Sequence, residues 1–140
     1  MNDTTAEDER TATITTLLAR FSSGGFDEAM DLFSEDVEMR LPFQDTSTGF
    51  WSEVDGKEGL MQLFASIPRL FDTHPLYLDS VVRSTDSRTL VARYHGDFTV
   101  RKTGKPYRNT YIAVFEFADD KIRSWTEFHN PQILAEALRP

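Results

Sequence analysis

The chain has 140 residues, which suits one domain, and 39% of them are apolar, with 11 Phe, 4 Tyr and 2 Trp, enough for a core with a cavity inside it. A net charge of −8 repels phosphate backbones and argues against a nucleic-acid partner, while the absence of cysteine excludes disulfides and thiolate metal sites and fits a reducing cytoplasm. No apolar run approaches the ~18 residues of a membrane span, and the opening MNDTTAEDER is acidic where a secretory leader would begin basic. The expectation is a single soluble, cytoplasmic domain over residues 1–140, with the first six residues a loose tail.

In chain order, Ile14, Leu17, Leu18 and Phe21 recur at helical spacing and predict a helix over 6–23, stopped by Gly24 and Gly25. FDEAMDLF predicts a short helix over 26–33 with the stripe Phe26, Ala29, Met30, Phe33. A strand follows over 37–41, ended by Pro42. The Thr-, Ser- and Asp-rich stretch 44–55 reads as a loop carrying an exposed pair, Phe50 and Trp51. A third helix runs over 56–67, with Leu60, Leu63, Phe64 and Ile67 on one side and Pro68 opposing its continuation. Strands are expected near 76–84, 88–100, 107–117 and 121–129. Pro131 then opens a last short helix, PQILAEAL. Helices first and a meander afterwards indicate an α+β layer fold, a curved antiparallel sheet on three N-terminal helices with a short C-terminal helix.

Two-residue turns at Asp119–Asp120 and Thr103–Gly104 set a register for the meander. The first pairs Phe117 with Ile122, Val114 with Trp125, Ile112 with Glu127 and Thr110 with His129, and it opposes Glu116 to Arg123. The second sets Val114 against Arg93, Ile112 against His95 and Thr110 against Asp97. Strand alternation then gives one face with Arg93, His95, Asp97, Thr110, Ile112, Val114, Trp125, Glu127 and His129. The opposite face carries Leu90, Ala92, Tyr94, Phe98, Tyr111, Ala113, Phe115, Phe117, Ile122 and Phe128. His95 and Glu127 lie about 10 Å apart on this register, suited to gripping a small ligand from two sides. Burial logic alone would put the second, apolar face against the helices.

The stretches YRNTYIAVFEFADDKI and TEFHNPQILAEAL, with the helix start DGKEGLMQLF, resemble the nuclear transport factor 2-like superfamily, in particular SnoaL-like, ketosteroid isomerase-like and phenazine biosynthesis A/B proteins. The resemblance covers roughly residues 6–138. It implies a cone-shaped fold around one small-molecule pocket, lined by alternate residues near the end of the last strand: Trp125, Glu127 and His129. It also implies that Glu127 matches an acid/base glutamate, and that the apolar second face lies outside and is buried in a homodimer. Leu63 and Ile67 stand where the phenazine proteins carry a His and a Ser. Ile112 stands where ketosteroid isomerases carry an acid.

Candidate chemistry follows from these placements. Glu127 beside Trp125, Ile112 and Val114 would be poorly solvated, which raises a carboxyl group's proton affinity toward the range useful for proton transfer. His95 could share that work, with Asp97 orienting it or His129. His129 could instead cap the last helix. Arg93 could pair with Glu116 or hold an anionic substrate. Trp125, Thr110, Ile112, Val114 and Trp51 are the expected substrate contacts. No His spacing suggests a metal, no Gly-rich phosphate loop or Ser nucleophile elbow is present, and no cofactor is expected. Two readings stay open: an enzyme performing isomerisation, cyclisation or dehydration on a small cyclic or polyketide-like molecule, and a non-catalytic ligand-binding or dimeric interaction module.

Overall fold

The computed structural model describes the backbone of residues 2–140 and the side chains of residues 8–140 apart from Thr48. Helix α1 spans Asn2–Ser23, so residues 2–6 continue the helix rather than forming a tail. Ala6 favours a helix and no Gly or Pro interrupts residues 2–23. Its stripe Ile14, Leu17, Leu18 and Phe21 is buried. Gly24 closes it at a φ of 83°, a left-handed conformation that costs glycine little, and Gly25 N donates to Arg20 O at 2.8 Å. Helix α2 is shorter than expected, Phe26–Ala29, followed by a 3-10 turn over Met30–Leu32. Phe33 is already extended and opens β1, Phe33–Arg40.

The expected loop contains a three-residue strand, β2 (Glu53–Asp55), paired antiparallel with β1. Helix α3 runs Gly56–Leu70, through Pro68. The proline falls in the last turn, where its fixed φ suits a helix and only one backbone bond is lost. A second three-residue strand, β3 (Phe71–Thr73), leads to β4 (Leu76–Arg83), β5 (Thr89–Val100), β6 (Pro106–Ala118) and β7 (Lys121–Phe128). The expected helix over 131–138 is α4, Pro131–Leu138, capped by the Asn130 side chain accepting from Gln132 N at 3.0 Å.

The seven strands form one curved, unclosed sheet in the order β2-β1-β7-β6-β5-β3, with β4 also pairing β5. It is mixed rather than antiparallel throughout, because β1 joins β7 in parallel. Helices α1 and α3 close the concave side. Arg10 ties α1 to two turns of the sheet, donating to Ser87 O at 2.8 Å and Asp119 O at 2.9 Å.

Both register expectations need correction. The β6–β7 turn is the two-residue one, pairing Ala118 with Lys121 and Phe117 with Ile122, but Arg123 is then an extra residue. Glu116 faces Ser124, Phe115 faces Trp125 and Ala113 faces Glu127. A bulge adds one residue to one strand, and a one-residue slip turns every following side chain to the other face. Trp125 and Glu127 therefore share a face with Tyr94 and Tyr111, not with His95. Arg123 instead lies 3.5 Å from Asp36. The β5–β6 connection holds four residues, 101–104, between Val100 and Lys105, and Gly104 takes a φ of 73°. Pairs shift by two, so Arg93 faces Ile112 and His95 faces Thr110, which keeps the expected faces on those strands.

The expected conflict between burial logic and the resemblance disappears. The aromatic face of β5 and β6 points inward, and the bulge brings Trp125 and Glu127 inward with it. Phe98, Tyr111 and Phe115 are buried in the core rather than awaiting a partner outside.

Candidate functional site

The concave face encloses a cavity of about 110 Å³. Apolar walls come from α1, α3 and β1: Phe21, Leu63, Phe64, Ile67 and Met39. Gln44, Phe50 and Trp51 of the long loop also line it, with Phe50 half-buried and Trp51 38% exposed. The polar lining gathers on β6, β7 and the residue after β7: Tyr107, Tyr111, Trp125, Glu127 and His129. No lysine or arginine is among the lining residues.

Glu127 is buried, and its Oε2 accepts a hydrogen bond from the Tyr94 hydroxyl. The Trp125 Nε1 in turn donates to the Tyr94 oxygen at 3.3 Å. Burial pushes the Glu127 carboxyl up from its ordinary 4.5 to about 7, against the opposing effect of the Tyr94 bond. Burial, and then the neighbouring Glu127 charge, push the Tyr94 phenol well above its usual range, so Tyr94 stays a donor. Trp125 is locked by stacking on Phe33 and Phe115 at centroid distances of 6.0 and 5.5 Å.

A second polar group lies on β6. Tyr111 donates to the Tyr107 oxygen at 3.0 Å, and Asn109 Nδ2 donates to the same oxygen at 2.9 Å. Asn109 is itself fixed by Asn130 O, which accepts from Nδ2 at 3.0 Å. Burial pushes the Tyr107 phenol up to about 12 and the Tyr111 phenol well above its usual range. His129 is 7% exposed, neither ring nitrogen has a hydrogen-bond partner among the described residues, and burial lowers its proton affinity. It does not cap α4; Asn130 does.

Of the sequence-predicted site residues, Glu127, His129, Trp125 and Trp51 line the cavity. His95, Asp97, Arg93, Thr110, Ile112 and Val114 do not; they lie on the outer face of the sheet, because the bulge separates them from Glu127. There, His95 Nδ1 is 2.9 Å from Asp79, Asp97 bonds Arg108 at 3.0 Å, and Ile112 is 48% exposed. Arg93 faces Ile112 and Glu116 faces Thr89, so the expected Arg93–Glu116 pair does not form. Leu63 and Ile67 do line the cavity, so α3 supplies wall and no proton chemistry. Sequence reasoning missed Tyr94, Tyr107, Tyr111 and Asn109. The available signal was three tyrosines on a face otherwise made of Phe, Leu and Ala, where each buried hydroxyl needs a partner. No group of three or more His, Asp or Glu that could hold a metal occurs among the described residues. No described helix is long and apolar enough to cross a membrane.

An unclosed, curved sheet wrapped on helices around one small cavity, with its polar groups on the last two long strands, defines a cone-shaped α+β protein of the nuclear transport factor 2-like type. The SnoaL-like domain family model matches residues 14–125, and the chain belongs to that family. It is 29% identical over 108 residues to the uncharacterized protein YesE of Bacillus subtilis (strain 168), covering 77% of this chain and 72% of that one. Among solved structures it is similar to a Bacillus subtilis protein provisionally named an isomerase, with a TM-score of 0.86, 25% identity and coverage of 98% and 95% of the two chains. It also resembles in fold a phenazine biosynthesis-related protein of Pseudomonas aeruginosa, with a TM-score of 0.80, 21% identity and coverage of 98% and 89%. A third fold match is a Xanthomonas campestris pv. campestris protein provisionally named a polyketide cyclase, with a TM-score of 0.82, 16% identity and coverage of 96% and 99%.

Proposed function

We propose that this protein is a cofactor-independent acid/base enzyme that moves a proton on a small cyclic or polyketide-like molecule, in an isomerisation, cyclisation or dehydration. The observation that carries this reading is Glu127: a buried carboxyl group lining a ring-sized cavity, hydrogen-bonded to Tyr94, with its proton affinity pushed up to about 7. A group poised near the working pH can both accept a proton from carbon and return it. A cavity of about 110 Å³ limits the ligand to no more than a single small ring, since the engineered apolar cavities that hold benzene are somewhat larger, at about 150 Å³. Tyr94 and Trp125 would fix the orientation of the carboxylate, and the apolar walls would keep water from competing for it. The provisional isomerase and cyclase names of two structural relatives point the same way.

The homodimer loses its original argument, since the aromatic face lies inside. Exposed Tyr77, Val82 and Ile112 remain for a second copy to cover, and sedimentation at micromolar concentration decides it.

The test is deuterium exchange at carbon in 2-cyclohexen-1-one and other small cyclic ketones, followed by NMR in D2O. The wild type should exceed Glu127→Gln by on the order of 100-fold. Equal rates across the panel would remove the acid/base reading in favour of a non-catalytic ligand-binding module, a role that the lack of a proton-transfer group on α3 also suits.

A further inference from the structure

The hydrogen bonds on β6 leave one proton unassigned. Tyr107 and Tyr111 together carry two hydroxyl protons. The bond between them uses one. Asn109 fills a second acceptor position on Tyr107 as a donor and takes no proton from it. Among the described residues no acceptor receives the other phenol proton, whichever tyrosine carries it, and both side chains line the cavity. Burial holds both phenols protonated.

His129 makes a second, independent demand. Its ring is buried, lines the same cavity, lies with its centroid 6.4 Å from that of Tyr111, and bonds nothing at Nδ1 or Nε2 among the described residues. A neutral imidazole offers one donor and one acceptor. Leaving buried polar atoms unmet is costly, so native interiors meet them. Water or a ligand in the cavity is the remaining source, and a ligand that takes the place of the water has to meet the same hydrogen bonds. It must accept one hydrogen bond from a phenol, and it must offer His129 an oxygen or a hydroxyl.

Charge narrows the class. An anion would sit near the Glu127 carboxylate with no lysine or arginine in the lining to balance it, and burial keeps His129 neutral. Arg93, the residue expected to hold an anion, is on the far side of the sheet.

We propose that the cavity selects an uncharged ring compound bearing an oxygen function, held by the spare phenol proton of the Tyr107–Tyr111 pair and by His129, and that it rejects carboxylates and phosphates. This rests on the cavity reading above and names its substrate class. His129 is thereby a binding and specificity residue, not the proton carrier.

The experiment is an NMR titration of the intact protein at pH 8 with phenol, benzene and benzoate as probes. Phenol should bind about tenfold more tightly than benzene, the increment of a hydrogen bond to otherwise unpaired groups, and benzoate should not saturate. In His129→Phe, which keeps a ring and removes both nitrogens, the phenol-to-benzene ratio should fall severalfold, the remainder coming from the tyrosine pair. If that variant does not fold, Tyr107→Phe/Tyr111→Phe carries the same test, and His129→Gln, which retains a donor and an acceptor, should recover most of the preference. Benzoate binding as tightly as phenol, a ratio unchanged in these variants, or no saturable binding of either neutral ring would each overturn the proposal. None of these readouts involves proton transfer at carbon. A loss of the His129-dependent preference and a loss of Glu127-dependent exchange are therefore separate failures.

Discussion

On the outer face of β5, His95 sits 2.9 Å from Asp79, with the two side chains 47% and 33% exposed. One residue earlier on the same strand, Tyr94 points inward and is fully buried against Glu127. Both pairs join a titratable side chain to a carboxylate, and only the inner pair is removed from water. At the surface, solvent screens a charge pair and weakens the attraction between its members. In the interior, the same carboxyl group cannot be solvated, its proton affinity rises to about 7, and a phenol is held as its fixed partner. Charge, histidine and aspartate were abundant on the outer face. Burial decided which face holds the candidate site.

The largest expected contrast between the faces is in packing. Trp125→Ala removes a ring that stacks on Phe33 and Phe115 and meets Phe64 edge-on. It should lower stability by about 3–5 kcal/mol, whereas Ile112→Ala on the outer face should cost about 1 kcal/mol or less. Urea unfolding of the two variants measures both. Equal losses would mean that the outer face is also packed, as it would be beneath a second copy of the chain.

The next contrast is in pH dependence. Glu127 folded holds its proton up to about 7, while unfolded it releases it near 4.5. The protonated carboxyl group therefore contributes stability that is complete below the unfolded value and is lost as pH rises through the folded one. That change is worth roughly 3 kcal/mol. His74 and His129, whose proton affinities burial lowers, act in the opposite direction: their contribution is lost as pH falls through the ordinary histidine range. Those two histidines are common to wild type and variant, so their difference isolates Glu127. Glu127→Gln should be about 2 kcal/mol more stable than wild type at pH 8 and nearly equal to it at pH 4.5, by denaturant titration. A variant that is less stable at both pH values would indicate that the carboxylate is well solvated in the folded protein. On the proposed reading, this gain in stability would come with loss of exchange activity, the trade found when a buried functional charge is removed.

Much of this arrangement was legible in the sequence, and the failures have physical causes. Helices α1, α3 and α4 were readable because their apolar stripes run for several turns, and α4 because Pro131 marks its first turn. Strands β4 to β7 were placed within about two residues. Strands β2 and β3 have three residues each, too few to show alternation. The bulge at Arg123 was the decisive omission. Glu116 opposite Arg123 is the favourable charge pairing for an unbulged ladder, and it made the wrong register attractive. The strand at 37–41 was read, but its parallel pairing with β7, which sets Met39 against Trp125, is not visible in a local reading. Glu127, Trp125 and His129 were found through the family resemblance. Of their companions, Tyr94 and Tyr111 were read as part of the apolar face that the resemblance put outside in a dimer, and Tyr107 was assigned to neither face.

The smallest effect expected is also the one that tests the assignment of faces most directly. His95 was the residue whose type and spacing most suggested shared proton work with Glu127. Its outward position makes a definite claim against that. His95→Ala removes the contact with Asp79 and the stacking on Tyr77, whose ring centroid is 5.2 Å away. Both partners are substantially exposed, so stability should change by about 0.5 kcal/mol or less, and 1 M NaCl should make little further difference. Carbon–deuterium exchange should stay within about twofold of wild type, since a sheet separates His95 from the cavity. A tenfold loss of exchange with unchanged unfolding would put a catalytic group on the outer face. The bulge at Arg123 would then not govern the chemistry, because the only route from His95 to Glu127 on one face is the unbulged register.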